Sequence, residues 1–403
     1  MKENDFNKGD FEDIFSSSAT PDTEEIFSSS SAQRKHYYRS SSKQNKKKSK
    51  NKRLKAVLIT LTSVLLVFTV VLGLFLYILK DYNYVNLEAT NSNLGFDEQI
   101  NQKVINIALF GVDTRDTKSL TGNTDSIMIL SLNTQTKKIK IISIMRDSLV
   151  GIERNGSKSY RKINSAYALG GPELAIKTIN QSFNLDISEY ATVNFFGMAE
   201  IIDAVGGIDV PLTEKEVVPY SPGVFALNNC IYDICDKLKI DPKPYYVTES
   251  GTQHLNGIQA TAYARIRYTA NFWGTRDDYG RTERQRYVME QLFNSVKNLP
   301  KTKYLSLIKT LLPFTETSLS VGDAFKIACN IMLHSPTFEQ SRIPLDEYQM
   351  TSTHKIPAAG SYVYFDLDYA ADVLHGYIYD DIQPQTYMEQ NPVRKNDWYG
   401  QLQ

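Results

Sequence analysis

Three short apolar segments decide the fold: VINIALF (Val104–Phe110), SIMILSL (Ser126–Leu132) and KIKIISI (Lys138–Ile144). Each has the length of a β-strand and is rich in isoleucine, leucine or valine, and polar residues bound each one. The five residues NTQTK (133–137) between the second and third segments have the length of a hairpin turn. The three segments are therefore predicted to be neighbouring strands of one sheet.

Helical and strand patterns alternate further along the chain. Apolar residues recur at helical spacing in Pro172–Phe183 and Gly197–Ala204, and the strand-like segment Ala191–Phe195 lies between them. Asn155-Gly156 marks a tight turn, and Ser361–Asp366 reads as a late strand. This alternation predicts an α/β fold, a three-layer α/β/α sandwich with a mixed central β-sheet.

The N-terminal region has a different composition from the rest. Residues 1–25 contain eight acids and two lysines, and eleven lysines and arginines then occur from Arg34 to Lys55 without an acid. Such polar, serine-rich sequence cannot form a core, so residues 1–55 are predicted to be a disordered cytoplasmic tail. Residues 56–79 are apolar apart from a few Thr and Ser. As a helix they would reach roughly 36 Å, enough to cross the roughly 30 Å core of a bilayer, which predicts one transmembrane helix.

The charges flanking this span predict its orientation. The basic block KKKSKNKR (46–53) precedes it, whereas KDYN (80–83) follows it. The positive-inside rule places the N-terminus in the cytoplasm and the remainder outside the cell membrane. The basic block is then the positively charged flank of a membrane helix, so no nucleic acid partner is expected. We expect an extracytoplasmic stalk at 80–101, a folded domain at 102–383 and a polar C-terminal tail at 384–403.

Several common chemistries find no support in the sequence. The five histidines form no His-x-x-x-His pair, and there is neither a Gly-x-x-x-x-Gly-Lys phosphate loop nor a Gly-x-Ser-x-Gly elbow. Cys230 and Cys235 lie within 214–250, a segment rich in Pro, Tyr and Asn that reads as an insertion. Their spacing leaves open whether they form a disulfide.

Six arginines fall within residues 265–286 although the whole chain has a formal net charge of zero. If Arg265-Ile266-Arg267 were a strand, both arginines would face one way and the isoleucine would face the core. Arg281, Arg284 and Gln285 have the spacing of one helix face. Guanidinium groups near a helix N-terminus suit phosphate, so the cluster predicts a site for a doubly charged anion, and a solvated basic helix face is the alternative.

Charged residues also follow the predicted strands. Asp113 and Arg115 come after the first strand, Asp125 begins the second, and Arg146 and Asp147 end the third. If the strands are neighbours, these side chains gather at one edge of the sheet, where α/β folds commonly bind ligands. Two carboxylates there predict a site for Mg²⁺, with Mn²⁺ as the other candidate, and each residue taken singly is equally consistent with a structural ion pair.

Together these strings resemble the LytR-CpsA-Psr family, whose members are single-span membrane proteins that face outward. The matching strings are NIALFGVDTR (106–115), TDSI (124–127), SIMRD (143–147), KINSAYALGG (162–171), DAVGGIDV (203–210), HLNGIQA (254–260) and YGRTERQR (279–286), and SYVYFDLD (361–368) resembles the family's closing strand. They occur in the family's order over roughly residues 102–300, so the folded domain is expected to be the catalytic domain of this family.

The resemblance implies a phosphotransferase. Such an enzyme moves a glycopolymer, a teichoic acid or a capsule polymer, from an undecaprenyl-pyrophosphate carrier to a sugar hydroxyl of peptidoglycan. By position, Asp113 and Asp125 are expected to hold Mg²⁺. The residues expected to bind the pyrophosphate are Arg146, Arg265, Arg267 and Gln285, with Arg115 and Arg281 as helpers. Arg146, Asp147 and Arg265 are the expected catalytic residues, and Asp147 either orients Arg146 or accepts the proton of the attacking hydroxyl.

Two departures from the family pattern and two rival functions remain. Asn123 stands where many relatives have arginine, and Met145 stands where they have proline. The rivals are a pyrophosphatase acting on the same lipid and a non-catalytic envelope protein that binds lipid or glycan through its arginines. A polyprenyl chain also needs an apolar slot, and Ala175–Phe183 and Phe195–Val205 are the candidate linings.

Overall fold

The computed structural model describes residues 82–334, 336–345 and 362–392, except 88, 89, 115, 117, 118 and 364, together with isolated positions between 55 and 80. The strands are β1 (Val104–Val112), β2 (Thr124–Asn133), β3 (Lys138–Ile144), β4 (Leu149–Arg154), β5 (Ser157–Lys162), β6 (Glu189–Asn194), β7 (Ile208–Leu212), β8 (Gly251–Leu255), β9 (Thr315–Thr317) and β10 (Thr337–Ile343). The helices are α1 (Ser165–Phe183), α2 (Phe195–Ala204), α3 (Leu227–Leu238), α4 (Gly257–Tyr263), α5 (Asp277–Asn298), α6 (Tyr304–Leu311), α7 (Val321–His334), α8 (Leu367–Ile378) and α9 (Pro384–Gln390).

A six-stranded mixed sheet forms the centre of the fold, in the order β10-β3-β2-β1-β6-β9. β1, β2 and β3 are antiparallel neighbours, as the three apolar segments predict, and β2 joins β3 through the predicted turn. β6 and β10 add parallel to β1 and β3, and β9 adds antiparallel to β6. β4 with β5 and β7 with β8 form two separate hairpins.

Helices pack on both faces of this sheet. On one face, Phe110, Ile129 and Ile142 of the strands join Phe183 of α1 and Leu374 of α8 in one core. A second core, built from α2, α3, α4, α5 and the hairpin of β7 and β8, lies on the other side. The predicted α/β class with a mixed central sheet is therefore confirmed.

Local sequence accounts for the helix ends that position the site. The side chain of Asn194 accepts a hydrogen bond from Gly197 N–H (2.8 Å) and caps α2. Asn256 and Gln259 form a reciprocal capping box at the start of α4. α1 ends at Asn184 in the left-handed conformation (φ 49°), which asparagine adopts more readily than most residues. These caps define where the loops toward the site begin.

In the described residues, two of the predicted strands do not form. Arg265-Ile266-Arg267 forms a turn after α4, where Arg265 N–H and Ile266 N–H donate to Ala262 and Tyr263 carbonyls. Within the described part of Ser361–Asp366, only Val363 pairs with another segment, through an isolated bridge to Ser148. Both segments alternate in polarity as a strand would, but their described residues form no ladder with another strand.

The cysteines of the predicted insertion are both free thiols. They lie on α3, which occupies the middle of residues 214–250. Five positions along an α-helix turn through about 500°, so the two side chains leave the helix roughly 140° apart and cannot meet. A disulfide between Cys230 and Cys235 is therefore absent.

The predicted tail (1–55) and transmembrane span (56–79) lie outside the described residues, apart from isolated positions of the span. Among the residues that are described, no helix combines the length and the apolar character needed to cross a bilayer. Residues 384–390, at the start of the predicted C-terminal tail, form α9, whose Tyr387 packs against Tyr369 of α8.

Candidate active site

The ends of the three central strands meet at one edge of the sheet. Asp113 follows β1, Asp125 is the second residue of β2, and Arg146 lies two residues beyond β3. Because each strand is antiparallel to the next, the end of β1, the start of β2 and the end of β3 lie side by side. Arg146 Nη1 donates to Asp125 Oδ1 at 2.7 Å. The predicted gathering of these side chains is confirmed for the residues that are described, and Arg115 lies outside them.

Helix α5 brings a second arginine to Asp125. Arg281 Nη1 lies 3.3 Å from Asp125 Oδ2, and its Nη2 donates to the Asp125 carbonyl at 3.3 Å. Only 4% of the Arg281 side chain is exposed. Burial lowers the pKa of Arg281, and the nearby Arg146 adds to this, although Asp278 and Asp125 oppose it. Burial also opposes the charge of Arg146, but Asp125, Asp278 and Asp147 together raise its pKa.

Asp278, in the first turn of α5, connects three of these arginines. Its carboxylate oxygens lie 3.3 Å from Arg146 Nε, 3.4 Å from Arg267 Nε and 3.2 Å from Arg281 Nη2. Sequence reasoning missed this residue. The available signal was an acidic residue in the first turn of a helix, just before an arginine, but that pattern also fits an ordinary interaction with the helix dipole.

A charged cavity of about 470 Å³ lies next to this network, and Arg146 and Asp278 are not among the residues that line it. Residues that line the charged cavity include Asp113, Asp125, Phe195, Phe225, Cys230, Asp233, Arg265, Arg267, Arg281 and Gln285. Most of the predicted pyrophosphate-binding residues therefore lie around one space. Arg265 and Arg267 both reach the cavity and Ile266 is fully buried, so the predicted side-chain directions are right although the predicted strand is not.

Helix α3 contributes a counter-charge for Arg265. Asp233 Oδ2 lies 2.7 Å from Arg265 Nη2, and Lys237 is 3.2 Å away on the same helix. Burial disfavours the carboxylate, but Arg265 and Lys237 outweigh it and hold the pKa of Asp233 below its usual value. Burial raises the pKa of Cys230 in the same wall to about 11, so its thiol stays protonated at neutral pH. Cys230 is therefore a poor nucleophile.

A fully buried ion pair fixes the loop that presents Arg265 and Arg267. Arg284 Nη2 and Glu216 Oε1 are 2.7 Å apart, and neither side chain has any exposed surface. Arg284 also donates to the carbonyls of Ile266 (3.3 Å) and Thr269 (2.8 Å). Arg284 therefore does not belong to the cavity: it holds the backbone on both sides of Arg267 against α5.

Asp147 lies behind Arg146 rather than in the wall of the charged cavity. Its Oδ1 is 2.9 Å from Lys162 Nζ and 3.8 Å from Arg146 Nε. Its carbonyl accepts from Val363 N–H at 2.9 Å, in the segment that precedes α8. The carboxylate is thus placed to orient Arg146 and to pair with Lys162.

The two positions that depart from the family pattern act through their backbone. Asn123 is exposed, and its carbonyl accepts from Asp113 N–H at 3.3 Å. Met145 is fully buried, and its N–H donates to the Ile343 carbonyl of β10 at 2.9 Å. These contacts hold the segments that carry Asp113 and Arg146, so neither position needs a charged or cyclic side chain for that purpose.

An apolar cavity of about 280 Å³ adjoins the charged one. It lies between the sheet and helices α2, α4, α5 and α6, and shares Phe195 and Gln285 with the charged cavity. Residues that line the apolar cavity include Leu109, Met128, Val193, Met198, Ile201, Val288, Met289 and Leu292. Phe195–Val205 thus supplies part of an apolar slot, as predicted. Ala175–Phe183 instead belongs to the core on the opposite face of the sheet.

The donor set at the charged cavity fits Mg²⁺. Within the described part of the chain, no group of three or more His, Cys, Asp or Glu side chains forms a ready-made metal cage. Asp113 and Asp125 nevertheless line the same cavity. Mg²⁺ is commonly bound by one or two carboxylates together with water and substrate phosphates, so two carboxylates in a phosphate-sized cavity are a sufficient protein contribution.

Comparisons with known proteins agree with this geometry. The teichoic acid transferase TagV of Bacillus subtilis, named in full polyisoprenyl-teichoic acid–peptidoglycan teichoic acid transferase, is 32% identical over 203 residues, covering 50% of this chain and 46% of TagV. Biofilm regulatory protein A of Streptococcus mutans is 31% identical over 238 residues, covering 57% of this chain and 53% of that protein. The chain therefore matches about half the length of these curated relatives.

Solved structures and a family model extend the match. Protein gbs0355 of Streptococcus agalactiae superposes with a TM-score of 0.55 at 22% identity, over 72% of this chain and 96% of that one, and so shares the fold. The model that describes the LytR_cpsA_psr family matches residues 78–370, which include every described element from β1 to α7. The chain belongs to the LytR_cpsA_psr family.

Proposed function

We propose that this protein transfers a glycopolymer from an undecaprenyl-pyrophosphate carrier to a sugar hydroxyl of peptidoglycan. The observation that carries the proposal is the adjacency of the two cavities, which meet at Phe195 and Gln285. One is apolar and suits a polyprenyl chain, and the other holds three arginines and suits a pyrophosphate. The name of TagV supports teichoic acid as the polymer, and a capsule polymer has the same linkage chemistry.

The reaction exchanges the phosphoanhydride bond of the carrier for a phosphate ester bond to the acceptor sugar. The acceptor hydroxyl oxygen attacks the phosphorus that carries the glycopolymer, the bond from that phosphorus to the bridging oxygen breaks, and the proton of the hydroxyl is released. The products are a glycopolymer phosphodiester and undecaprenyl phosphate. Such a step needs in-line positioning and neutralisation of charge more than covalent catalysis.

The arginines of the charged cavity supply that neutralisation. Arg265 and Arg267 extend from one loop, and Arg281 lies across the cavity on α5. Arg146 does not line the cavity, but it is bound to Asp125 and adds positive charge directly behind that carboxylate. Gln285 lies where the apolar and charged cavities meet, so its amide is placed to bind the phosphate nearest the lipid. We assign the roles of Arg146 and Arg265 as catalytic on this basis.

Asp113 and Asp125 would hold Mg²⁺. When bound, the metal supplies charge neutralisation for the phosphoryl oxygens. The chain's own contribution is to keep both carboxylates at the end of the cavity formed by β1 and β2. Arg146 and Arg281 hold Asp125 in place from two sides.

Asp147 is assigned a positioning role. Its pairing with Lys162 and its contact with Arg146 favour orientation of that arginine over proton abstraction inside the cavity. Asp147→Asn is expected to lower turnover by less than Arg265→Ala does. A loss of turnover equal to that of Arg265→Ala, with lipid affinity unchanged, would return Asp147 to the role of general base.

The membrane anchor also belongs to this proposal. The apolar residues 56–79 would span the cell membrane once, with the N-terminus in the cytoplasm and the catalytic domain outside. In this orientation the charged cavity would lie on the side of the membrane where peptidoglycan lies.

The test is transfer of a radiolabelled lipid-linked glycan to peptidoglycan fragments by the purified protein in detergent. Product formation should require the acceptor and Mg²⁺, and should be lost in Arg265→Ala and Asp125→Ala. Cleavage without acceptor would favour a pyrophosphatase. Tight binding of the lipid without turnover would leave a binding protein.

A further inference from the structure

A third cavity, here called the outer cavity, lies against α5 on a different side from the charged one. Its volume is about 520 Å³. Residues that line the outer cavity include Trp273, Glu283, Arg286, Tyr287, Gln340 and Arg342. None of these six lines the charged or the apolar cavity, so the proposed phosphotransfer chemistry leaves them without a role.

One wall of the outer cavity is aromatic and accessible. The rings of Trp273 and Tyr287 lie 5.1 Å apart at an interplanar angle of 56°, and Trp273 is 44% exposed. The loop that presents Trp273 is held in place from below. The buried Asn271 accepts from Trp273 N–H (3.0 Å) and Thr275 N–H (2.9 Å), and donates to Glu283 on α5 (2.7 Å). The backbone that carries the exposed ring is therefore held in place by hydrogen bonds to Asn271.

The opposite wall is polar and mixes donors with acceptors. Arg286 and Arg342 are more than nine-tenths buried, and the Arg342 guanidinium stacks on Tyr279 with its carbon 4.4 Å from the ring centre. Gln340 donates to Glu290 at 2.9 Å. An aromatic face beside mixed charged and amide groups suits a sugar ring, because its C–H face is apolar and its hydroxyls both donate and accept hydrogen bonds.

Helix α5 connects the outer cavity to the charged cavity. Arg281 and Gln285 face the charged cavity, whereas Glu283 and Arg286, from the same two turns, face the outer one. The two cavities are thus separated by about one helix diameter, roughly 10 Å. A chain of linked sugars bound in the outer cavity would have to span about this distance to bring a hydroxyl to the charged cavity.

We infer that the outer cavity binds the acceptor glycan strand, with a sugar ring stacked on Trp273 and its polar groups facing Arg286 and Gln340. The inference rests on the proposed function and adds to it the place where the acceptor is held. The donor glycopolymer shares the chemistry of a hydroxylated, acidic chain, so the experiment must distinguish the two sources.

The test is a binding titration of the full-length protein in detergent with two probes. One is the N-acetylglucosaminyl–N-acetylmuramic acid disaccharide of peptidoglycan, and the other is a glycerol phosphate oligomer. The variant is Trp273→Ala. Its matched control is Tyr160→Ala, which removes a ring that is 55% exposed on β5 and lines none of the three cavities.

Trp273→Ala should weaken disaccharide binding about tenfold, as expected for the loss of one stacking contact, and Tyr160→Ala should leave it near the wild-type value. In the transfer assay, Trp273→Ala should raise KM for the disaccharide acceptor with little change in kcat. Equal affinities in the two variants, or no disaccharide binding by the wild type at millimolar concentration, would overturn the inference. A selective loss of the glycerol phosphate oligomer would overturn it in favour of the donor polymer. Because binding needs no lipid, failure here with intact transfer leaves the proposed function standing.

Discussion

The apolar cavity and the charged cavity share Phe195 and Gln285 and differ in almost everything else. The apolar one lies under the sheet between helices, and its walls are aliphatic side chains and methionines. The charged one lies at the edge of the same sheet, and its walls contain three arginines and three aspartates. Few ligands match both cavities. An amphiphile with a long apolar chain and a phosphorylated head is one that does.

The two cavities are also built by different means. Regular helices and strands form the apolar cavity, where Met198, Val288 and Leu292 are held by helix geometry alone. The charged cavity depends on loops that ion pairs hold in place, such as the pair of Arg284 with Glu216. We therefore expect substitutions of polar residues to disturb the charged cavity much more than the apolar one.

The largest effect is expected from Arg284→Met. The substitution leaves Glu216 buried without its partner, so the free energy of unfolding should fall by about 3–5 kcal/mol. The double variant Arg284→Met/Glu216→Leu should recover much of that loss, because it removes both charges. Urea denaturation followed by tryptophan fluorescence measures both values. If Arg284→Met were as stable as the wild type, the pair of Arg284 with Glu216 would not stabilise the wall of the charged cavity.

Arg265→Ala should disable the charged cavity and leave the apolar one intact. Loss of one positioned charge at a phosphoryl group should lower the rate of transfer by about 10²- to 10³-fold. Binding of an uncharged polyprenyl alcohol should not change. Arg161→Ala is the matched control, because Arg161 is exposed on the hairpin of β4 and β5. Equal rates in the two variants would remove Arg265 from the site.

Met198→Trp should have the opposite selectivity. A larger side chain in the apolar cavity should weaken binding of a polyprenyl pyrophosphate about tenfold or more, since overpacking typically costs about 1–3 kcal/mol. Affinity for inorganic pyrophosphate should stay the same, because Met198 does not line the charged cavity. Isothermal titration with both ligands measures the difference. If both affinities fell together, the two cavities would not be independent.

The smallest effect is expected in the pH dependence of the free energy of unfolding, through the pair of Asp233 with Arg265. The pKa of Asp233 is lowered in the folded state, so its contribution to stability is present above the usual aspartate pKa of about 3.9 and is lost as the pH falls through the folded value. Asp233→Asn should cost less than about 1 kcal/mol at neutral pH, since the pair is partly exposed. Between pH 5 and pH 3, the variant should lose less unfolding free energy than the wild type. Equal losses would show that Asp233 is not the group that titrates.

Much of the fold was accessible from the sequence because local patterns are sufficient for it. The three apolar segments became β1, β2 and β3, and Asn155-Gly156 became the turn between β4 and β5, with positive φ at both residues. The charged residues at the end of β1, the start of β2 and the end of β3 then had to meet at one edge. Asp113 and Asp125 were found for this reason.

The ion-pair partners were not accessible, because they depend on how distant segments pack. Asp233 lies in α3 and Glu216 lies before it, within a segment that reads as an insertion. Arg284 looked equivalent to Arg281 in sequence, yet one is bound to Glu216 in the core and the other lines the charged cavity. Helical spacing gives the direction of a side chain but not the identity of the group that it meets.

The most direct test of the account is a crystal structure of the protein with a polyprenyl pyrophosphate. One ligand should fill both cavities, with its chain beside Met198 and Val288 and its pyrophosphate within hydrogen-bonding distance of Arg265 and Arg267. A chain bound outside the apolar cavity, or a pyrophosphate that does not contact these arginines, would contradict it.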